Sequence, residues 1–195
     1  GETAEMPGFY NKNEYDMSGT IVGVVDRELM IPKRKVSSSD ILVGLPSTGL
    51  HTNGYSLARK VLLENLDIDS KIPNTNTTVA DGLLSIHKSY LHICDNILDK
   101  KWLTGMSHIT GGGIVSNTKR VINDNQSIEI NWNAWERPEI FNAIQELGNV
   151  PEDDMRESMN LGIGLILIVS KNSLDDCISH LQSLNEPYYI LGQVK

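Results

Sequence analysis

The chain has 195 residues, 39% of them hydrophobic, which is enough apolar material for the buried core of one domain. Its net charge of −8 argues against a nucleic-acid partner, because nucleic acids are bound by clustered lysine and arginine. No apolar run approaches the ~20 residues of a membrane-spanning helix, so the sequence predicts neither a nucleic acid nor a membrane as partner.

Residues 1–31 are predicted to be the end of a preceding domain. Residues 1–16 are rich in glycine, proline, asparagine and acidic residues, which is typical of a loop. The apolar, β-branched run at residues 19–25 predicts a buried strand. A proline followed by basic residues then marks a boundary, so residues 32–195 are assigned to a second domain, and we expect the chain to be part of a longer protein.

A glycine-broken loop with one histidine follows the next predicted strand. Residues 40–45 predict this strand, and apolar spacing predicts a helix over residues 57–66, with Asn53 as its N-cap. Such a junction points backbone N–H groups and the positive end of a helix dipole at one place, where anions bind. His51 lies beside Asn53 and Ser56. It is a candidate for proton transfer or for a hydrogen bond to a substrate, and the alternative is a solvent-exposed loop histidine.

A second junction of this kind is predicted further along the chain. Residues 106–109 predict a short strand, a helix pattern resumes at Ile114, and the turn between them consists of Thr110, Gly111, Gly112 and Gly113. Two such junctions favour a ligand site at one edge of a sheet, although neither matches a phosphate-loop or dinucleotide-binding pattern. A tight turn without a ligand is the alternative. His108 precedes the turn, and we expect it to pack against other groups or to orient them.

The remaining segments continue the alternation of helices and strands. A helix is predicted over residues 79–99, and His87 and His92 on it are interpreted as surface or core residues. Further strands are predicted at residues 127–131, 161–169 and 188–191, and further helices at 139–147 between Pro138 and Gly148, from the acidic run at 152–154, and at 174–184. This order favours an α+β (α/β-like) fold, with a mixed β-sheet and helices packed mainly on one face.

The two cysteines indicate a cellular compartment. Cys94 and Cys177 are far apart, lack CxxC spacing and fall in helical patterns at positions that face a predicted core. Because disulfides are rare in the reducing cytosol, two such cysteines favour a cytoplasmic protein.

Two glutamates near the start are candidate ligands of a metal ion. Glu2 and Glu5 are followed by Pro7 and Gly8, so a tight loop could bring both carboxylates to a divalent cation such as the magnesium that accompanies ATP. The alternative is a pair of solvated acids. The sequence has no Ser–His–Asp order with a nucleophile elbow and no His/Cys cluster with zinc spacing, which argues against hydrolases and zinc enzymes.

Three motifs occur in order along the chain: GETAEMPG at residues 1–8, HTNGYSLARK at 51–60 and HITGGG at 108–113. Together they resemble the phosphoribosylformylglycinamidine cyclo-ligase family, also called aminoimidazole ribonucleotide synthetases. The likeness runs the whole length of the chain, with departures at Thr52, where the family usually has serine, and at residues 117–120. It implies two α/β domains, and residues 1–31 then resemble the end of the first, ATP-binding domain.

The resemblance implies an ATP-dependent ligase of purine biosynthesis that works as a cytoplasmic homodimer, with Mg²⁺ bound to its co-substrate ATP. ATP phosphorylates the amide oxygen of formylglycinamidine ribonucleotide, and an internal nitrogen then attacks the activated carbon and closes the ring of aminoimidazole ribonucleotide. The implied site residues are His51 in catalysis; Asn53, Gly54, Ser56, Thr110, Gly111, Gly112 and Gly113 in substrate binding; and Glu2 and Glu5 in nucleotide binding, with Glu5 also at the magnesium ion.

Two other functions stay open. A second domain without its catalytic partner would be a non-catalytic module that binds a phosphorylated ligand or serves in assembly. A related ATP-using enzyme, such as formylglycinamidine ribonucleotide synthetase or selenophosphate synthetase, is the other alternative, although residues 1–8 and 51–60 favour the cyclo-ligases. Because most of the family's first domain has no counterpart in the sequence, we expect the chain to be inactive by itself.

Overall fold

The computed structural model describes residues 11–13, 15, 17, 19–32 and 35–195. These residues contain five strands: β1 (Ile41–Pro46), β2 (Leu103–His108), β3 (Ile128–Ile130), β4 (Ile163–Val169) and β5 (Tyr189–Val194). The α-helices are α1 (Tyr55–Asn65), α2 (Val79–Leu83), α3 (Leu91–Ile97), α4 (Gly113–Lys119), α5 (Glu139–Gly148), α6 (Glu152–Ser158) and α7 (Leu174–Ser183). Short 3₁₀ turns occur at Arg27–Leu29 and Lys171–Ser173.

The strands form one sheet in the order β2-β4-β1-β5-β3. Its four pairings between described strands are all antiparallel, whereas the sequence predicts a mixed sheet, which would also contain a parallel pair. Strand β4 lies between β1 and β2, and all seven of its residues are buried. An uninterrupted apolar run is typical of a strand covered on both faces, and the prediction of a central strand at residues 161–169 is confirmed. The predicted α+β class is confirmed as well.

Alternate residues of β4 belong to two hydrophobic cores on opposite faces of the sheet. Leu165 and Leu167 pack with α3 and α7 on one face, whereas Ile166 and Ile168 pack with Ile114 of α4 on the other. This follows from the two-residue period of a strand, which sends neighbouring side chains to opposite sides. Two helices therefore cover one face and α4 lies against the other.

A third core joins four helices beyond the end of the sheet. Phe141 and Ile144 of α5 are fully buried there against α1, α2 and α6. Pro138 precedes the first residue of α5, as predicted, because its fixed φ and missing N–H suit a helix start. The helix includes Gly148, and the left-handed residue that ends it is Asn149, with φ of 46°. The predicted termination at Gly148 is therefore one residue early.

The prediction of one helix over residues 79–99 is wrong, because the segment forms two short helices, α2 and α3. The apolar spacing behind this prediction included Ile86, which is 87% exposed and contributes nothing to a core, and the nearby Leu84 is 79% exposed. The backbone between the helices is tied to the loop after β1 instead. Thr48 Oγ1 donates to the carbonyl oxygen of Ile86 (2.6 Å), and Ser85 Oγ donates to that of Thr48 (2.8 Å). These bonds compete with a continuous helix.

Two further predictions differ from the structure. Residues 19–25 are exposed and form no strand in the part of the chain that the structure describes. Asn53 is not the N-cap of α1, because Gly54 takes this position with φ of 75° and no side chain caps the helix. The left-handed turn at Gly54 suits a glycine, which has no Cβ to clash. None of the helices in the described ranges has the length and apolar character needed to cross a membrane.

Candidate functional site

The loop of residues 47–54 follows β1 at one end of the sheet, where the buried side chain of Asn160 makes hydrogen bonds to it. Asn160 Nδ2 donates to the carbonyl oxygen of Gly49 (2.8 Å), and Asn160 Oδ1 accepts from Ser47 Oγ (3.0 Å). The same oxygen accepts from the backbone N–H of Gly162 (2.8 Å), just before β4. Asn160 therefore fixes the loop relative to the central strand. The sequence predicts no individual role for this residue.

His51 is buried in this loop, with only 3% of the residue exposed, so the alternative of a solvent-exposed histidine is wrong. Its backbone is left-handed, with φ of 56°. The backbone N–H of Thr48 donates to His51 Nε2 (3.1 Å). Because Nε2 accepts, the proton of the neutral ring lies on Nδ1. Nδ1 is buried and has no hydrogen-bond partner among the described residues.

Three histidines from separate segments converge at this point. His51, His87 between α2 and α3, and His108 at the end of β2 each offer a ring nitrogen, and these atoms lie within 4.8 Å of one another. The rings of His51 and His87 are stacked, with centroids 3.9 Å apart and planes 17° apart. The rings of His87 and His108 are 5.5 Å apart. We call these three residues the histidine cluster.

The environment of the histidine cluster keeps His51 uncharged at neutral pH. Burial has the largest effect and, with the positive potential of His87, His108 and Lys88, lowers the pKa of His51 to about 4. Burial, and then His87, also lowers the pKa of His108. At pH 7 the ring of His51 is therefore a neutral donor through Nδ1, not a cation.

The loop between β2 and α4 lies directly beside the His51 loop. A Cβ atom added at Gly111 would be 3.3 Å from Asn53 Oδ1, so the two loops are in contact distance here. Asn117 shapes the glycine turn: its Oδ1 accepts from Thr110 Oγ1 (3.0 Å), and its Nδ2 donates to the carbonyl oxygen of Gly113 (2.7 Å). The structure thus brings the two predicted junctions together at one end of the sheet.

A cavity of about 400 Å³ borders the glycine turn. Gly112 forms part of its wall, and the basic side chains of Lys119 and Arg156 line it together with the acidic Asp153 and Glu157. The guanidinium carbon of Arg156 lies over the Trp132 ring, 4.4 Å from its centroid. This cavity combines an aromatic face with both signs of charge.

Most of the chain matches one family model. The model is described as AIR synthase related protein, C-terminal domain, and it matches residues 38–195. The chain belongs to this family. Its fold resembles that of E. coli HypE, a hydrogenase maturation protein, with a TM-score of 0.50 and 19% identity over 81% of this chain and 44% of that one. This likeness concerns the fold alone.

Several curated proteins are much more similar to this chain in sequence than HypE is. Proteins named phosphoribosylformylglycinamidine cyclo-ligase from Citrifermentans bemidjiense, Geotalea daltonii and a Thermoanaerobacter species are 43%, 41% and 39% identical to it. Each match covers 100% of this chain and 56%, 56% and 58% of the relative, respectively. The chain therefore spans little more than half the length of these relatives.

The residues predicted for the site do not all lie together in the structure. His51 is buried against His87 and Gly164, and Asn53 lies beside Gly111 of the glycine turn. Gly54 forms the left-handed start of α1, and Ser56 is exposed on the first turn of that helix. Glu2 and Glu5 lie outside the described residues. His87 was predicted to be a surface or core residue, but its ring stacks on His51. Only the bend between α2 and α3 brings it there, and helical spacing gave no sign of that bend.

Proposed function

We propose that the chain forms the substrate-binding part of an ATP-dependent cyclo-ligase in purine biosynthesis. The reaction converts formylglycinamidine ribonucleotide into aminoimidazole ribonucleotide and gives ADP and phosphate. Support comes from relatives with the cyclo-ligase name, which match the chain over its full length. Because the chain spans only 56% to 58% of them, we propose the complete reaction for a protein that also contains the remaining part.

The observation that carries the proposal is the contact between the two glycine-containing loops. Asn53 follows β1 and Gly111 follows β2, yet a Cβ atom at Gly111 would be only 3.3 Å from the Asn53 amide oxygen. Polar side chains and backbone N–H groups from both loops therefore share one end of the sheet. Such an edge can hold a phosphorylated substrate without a cluster of lysines.

His51 acts in this proposal as a fixed hydrogen-bond donor to the reacting part of the substrate. Its Nδ1–H is buried, and Thr48 and Asn160 determine the position of its ring and loop. A preorganised donor stabilises negative charge that develops on an oxygen during phosphoryl transfer. The ring-closing nitrogen must also lose a proton, which water or the released phosphate can accept.

The glycine turn would hold the ribose phosphate. Of Thr110, Gly111, Gly112 and Gly113, Gly111 lies beside Asn53, and Gly112 borders the cavity of about 400 Å³ with Lys119 and Arg156. Both basic residues could neutralise part of a phosphate charge. Gly54 and Ser56 complete the substrate wall at the start of α1.

The nucleotide and the metal ion are assigned to Glu2 and Glu5, with Glu5 reaching Mg²⁺ that accompanies ATP. Among the described residues, the one group of three side chains that could share a metal ion is the histidine cluster. Imidazoles do not suit Mg²⁺, which prefers oxygen ligands, so no step of the reaction is assigned to the metal here. A cytoplasmic homodimer is the proposed working form, and Cys94 and Cys177, which form no disulfide, suit that compartment.

Complementation tests the proposed activity. We would join the chain to the part of the Citrifermentans bemidjiense relative that precedes its match, and measure ATP-dependent formation of aminoimidazole ribonucleotide and release of ADP. We expect turnover from the joined protein and none from the chain alone. His51→Ala in the joined protein should lower kcat about 100-fold, because it removes a charge-stabilising donor. His92→Ala changes an exposed histidine of α3 and serves as the matched control.

Other outcomes would favour the alternative functions. Binding of the ribonucleotide to the chain without turnover by the joined protein would indicate a non-catalytic module. Turnover only with a different substrate, such as formylglycinamide ribonucleotide with glutamine, would indicate a related superfamily enzyme. Equal activity of the chain alone and of the joined protein would contradict the need for the additional part.

A further inference from the structure

The histidine cluster gathers basic groups around a buried donor. The residues that act electrostatically on His51 are His87, His108 and Lys88, and all of them disfavour its protonation. Lys88 forms an ion pair with Glu186, and Tyr90 beneath the cluster donates its hydroxyl to the carbonyl oxygen of Pro46 (2.8 Å). Among the described residues, no carboxylate contributes to the electrostatic effects on His51 or His108. A charge there needs a counter-ion from outside.

The orientation of the rings argues against a transition-metal ion as this ligand. Zinc-type ions bind an imidazole nitrogen at about 2.0–2.1 Å, along the lone pair in the plane of the ring. The planes of His51 and His87 are stacked 17° from parallel, with centroids 3.9 Å apart, so no point near the cluster lies in both planes. The His51 nitrogen that lacks a partner also carries the proton, because Thr48 N–H occupies the lone pair of Nε2.

The same arrangement suits an oxyanion. The buried Nδ1–H of His51 is a donor without an acceptor, which costs free energy until a ligand supplies one. His108, at the exposed edge of the cluster, can become a second, charged donor when an anion is present. In the empty cluster this charge on His108 is unfavourable, because burial and then the neighbouring His87 disfavour the protonated ring.

We propose that His51, His87 and His108 form an oxyanion site that takes up one proton from solvent when a phosphate-type dianion binds. The cluster is neutral when empty and cationic when occupied. The inference rests on the proposed function only for the natural source of the anion, which is either the phosphate ester of the ribonucleotide or the phosphoryl group that is transferred. It goes beyond that function in assigning His87 and His108 to the site and in coupling binding to protonation.

Sulfate is the best first probe, because it stays a dianion across the range studied and any proton taken up belongs to the protein. We would titrate the 195-residue chain with sodium sulfate by calorimetry at pH 7, in PIPES and in Tris, whose ionisation enthalpies differ. Sodium chloride at matched ionic strength measures the unspecific salt effect. We expect saturable binding, uptake of up to one proton per sulfate, and affinity that rises up to tenfold from pH 7 to pH 6.

Variants connect the signal to the histidine cluster. His108→Gln changes an exposed residue and should abolish the proton uptake and weaken sulfate binding at pH 6, while circular dichroism shows an unchanged fold. His87→Gln should have the same effect and provides a second test from another segment. His92→Gln on α3 keeps both signals and serves as the control. Long-range ¹H–¹⁵N spectra would show the cluster nitrogens changing protonation on addition of sulfate, with those of His92 and His180 unchanged.

The outcomes separate this inference from its alternatives and from the proposed function. Sulfate binding without proton uptake, or no binding beyond that of chloride, would overturn it even if the joined protein is active. Saturable binding of Zn²⁺ alone that His108→Gln abolishes, without sulfate binding, would replace it by a metal site. Ribose 5-phosphate binding more tightly than inorganic phosphate would identify the substrate ester as the natural anion, and equal affinities would point to the transferred phosphoryl group.

Discussion

Gly164 of the central strand lies directly against the ring of His51. A Cβ atom at position 164 would be 2.6 Å from His51 Cε1 and would overlap the hydroxyl oxygen of Tyr90. Tyr90 is 8% exposed, and its hydroxyl is bound to the end of β1 through Pro46. Neither ring can therefore move far. The absence of a side chain at Gly164 is what allows β4 and the buried histidine to approach each other.

Gly164→Ala should destabilise the chain by about 1–3 kcal/mol, because overpacking of a rigid interior forces neighbouring side chains out of position. Urea denaturation followed by circular dichroism measures this difference. Gly23→Ala is the matched control, since a Cβ there would have no atom within 4 Å, and its effect should stay within ~0.5 kcal/mol. Equal stabilities of the two variants would mean that β4 and His51 are not in close contact.

Protonation of His51 should make the fold less stable in mild acid. The pKa of His51 is lowered in the folded chain from 6.5 to about 4, by burial first and then by His87. Above pH 6.5 both states are neutral and the full stability is present. As the pH falls from 6.5 to 4, the unfolded chain binds a proton that the folded chain does not, which costs up to about 3 kcal/mol.

His51→Gln should remove this part of the pH dependence. Free energies of unfolding from urea titrations at pH 7.5 and pH 5.0 give the measurement, and His92→Gln, at an exposed site, should keep the difference of the parent chain. His108 titrates in the same direction, so some loss in acid will persist in the His51 variant. An unchanged pH dependence in His51→Gln would show that its ring is charged in the folded state.

Sequence patterns predicted those parts of the fold that depend on local chemistry. The apolar run of β4 and the proline before α5 each specify an element by themselves, and both elements form as expected. The bend at residues 84–90 could not be predicted, because hydrogen bonds from Thr48 and Ser85 determine it and Leu84 is apolar yet exposed. Each of these two bonds joins residues that are far apart in the sequence, with separations of 37 and 38 positions.

The histidine cluster was unpredictable for the same reason. His51 and His108 each stand next to a glycine-containing loop, so their motifs identified them as residues of interest. His87 has no motif around it, and only the bend between α2 and α3 places its ring on His51. The tautomer of His51 depends on the backbone N–H of Thr48, which no side-chain pattern reveals.

Two of the three glycines in the turn after β2 should differ in their tolerance of a side chain. Gly113 has φ of 66°, and a Cβ there would overlap the carbonyl oxygen of Arg156, which belongs to the backbone of α6. Gly113→Ala should therefore cost about 3 kcal/mol or more, since both backbones would have to move.

Gly111→Ala offers the matched contrast within the same turn. Its nearest neighbour would be the Asn53 side-chain oxygen at 3.3 Å, which can shift by a few tenths of an ångström, so stability should change by less than ~1 kcal/mol. The added methyl group would lie between the two loops, and KM of the joined protein for the ribonucleotide should rise. Unchanged kinetics in a folded Gly111→Ala protein would place the substrate away from this contact.

Glu152, the first residue of α6, binds Arg137 just before α5, Gln145 of α5 and Arg156 of its own helix. It accepts hydrogen bonds from Arg137 Nη2 (2.6 Å), Arg156 Nε (2.8 Å) and Gln145 Nε2 (2.9 Å). The bond from Arg137 contributes most to lowering the pKa of Glu152 to about 2, against the opposing effect of burial. Because its folded-state pKa is depressed, the stabilisation is present above pH 4.5 and is lost as the pH falls toward 2.

Glu152→Gln should therefore destabilise the chain by about 1 kcal/mol at pH 7, a modest value because 36% of the side chain is exposed and solvent screens the pair. The difference from the parent chain should shrink as the pH is lowered toward 2, which urea titrations at several pH values would measure. Glu157→Gln, an exposed change on the same helix, should have an effect within ~0.5 kcal/mol.

Because Arg156 also contacts the Trp132 ring and its backbone lies against Gly113, loss of the Glu152 contact would also loosen the cavity beside the glycine turn. A Glu152→Gln protein as stable as the parent at pH 7 would show that the arginines find other partners and that this network does not hold α6 against the turn.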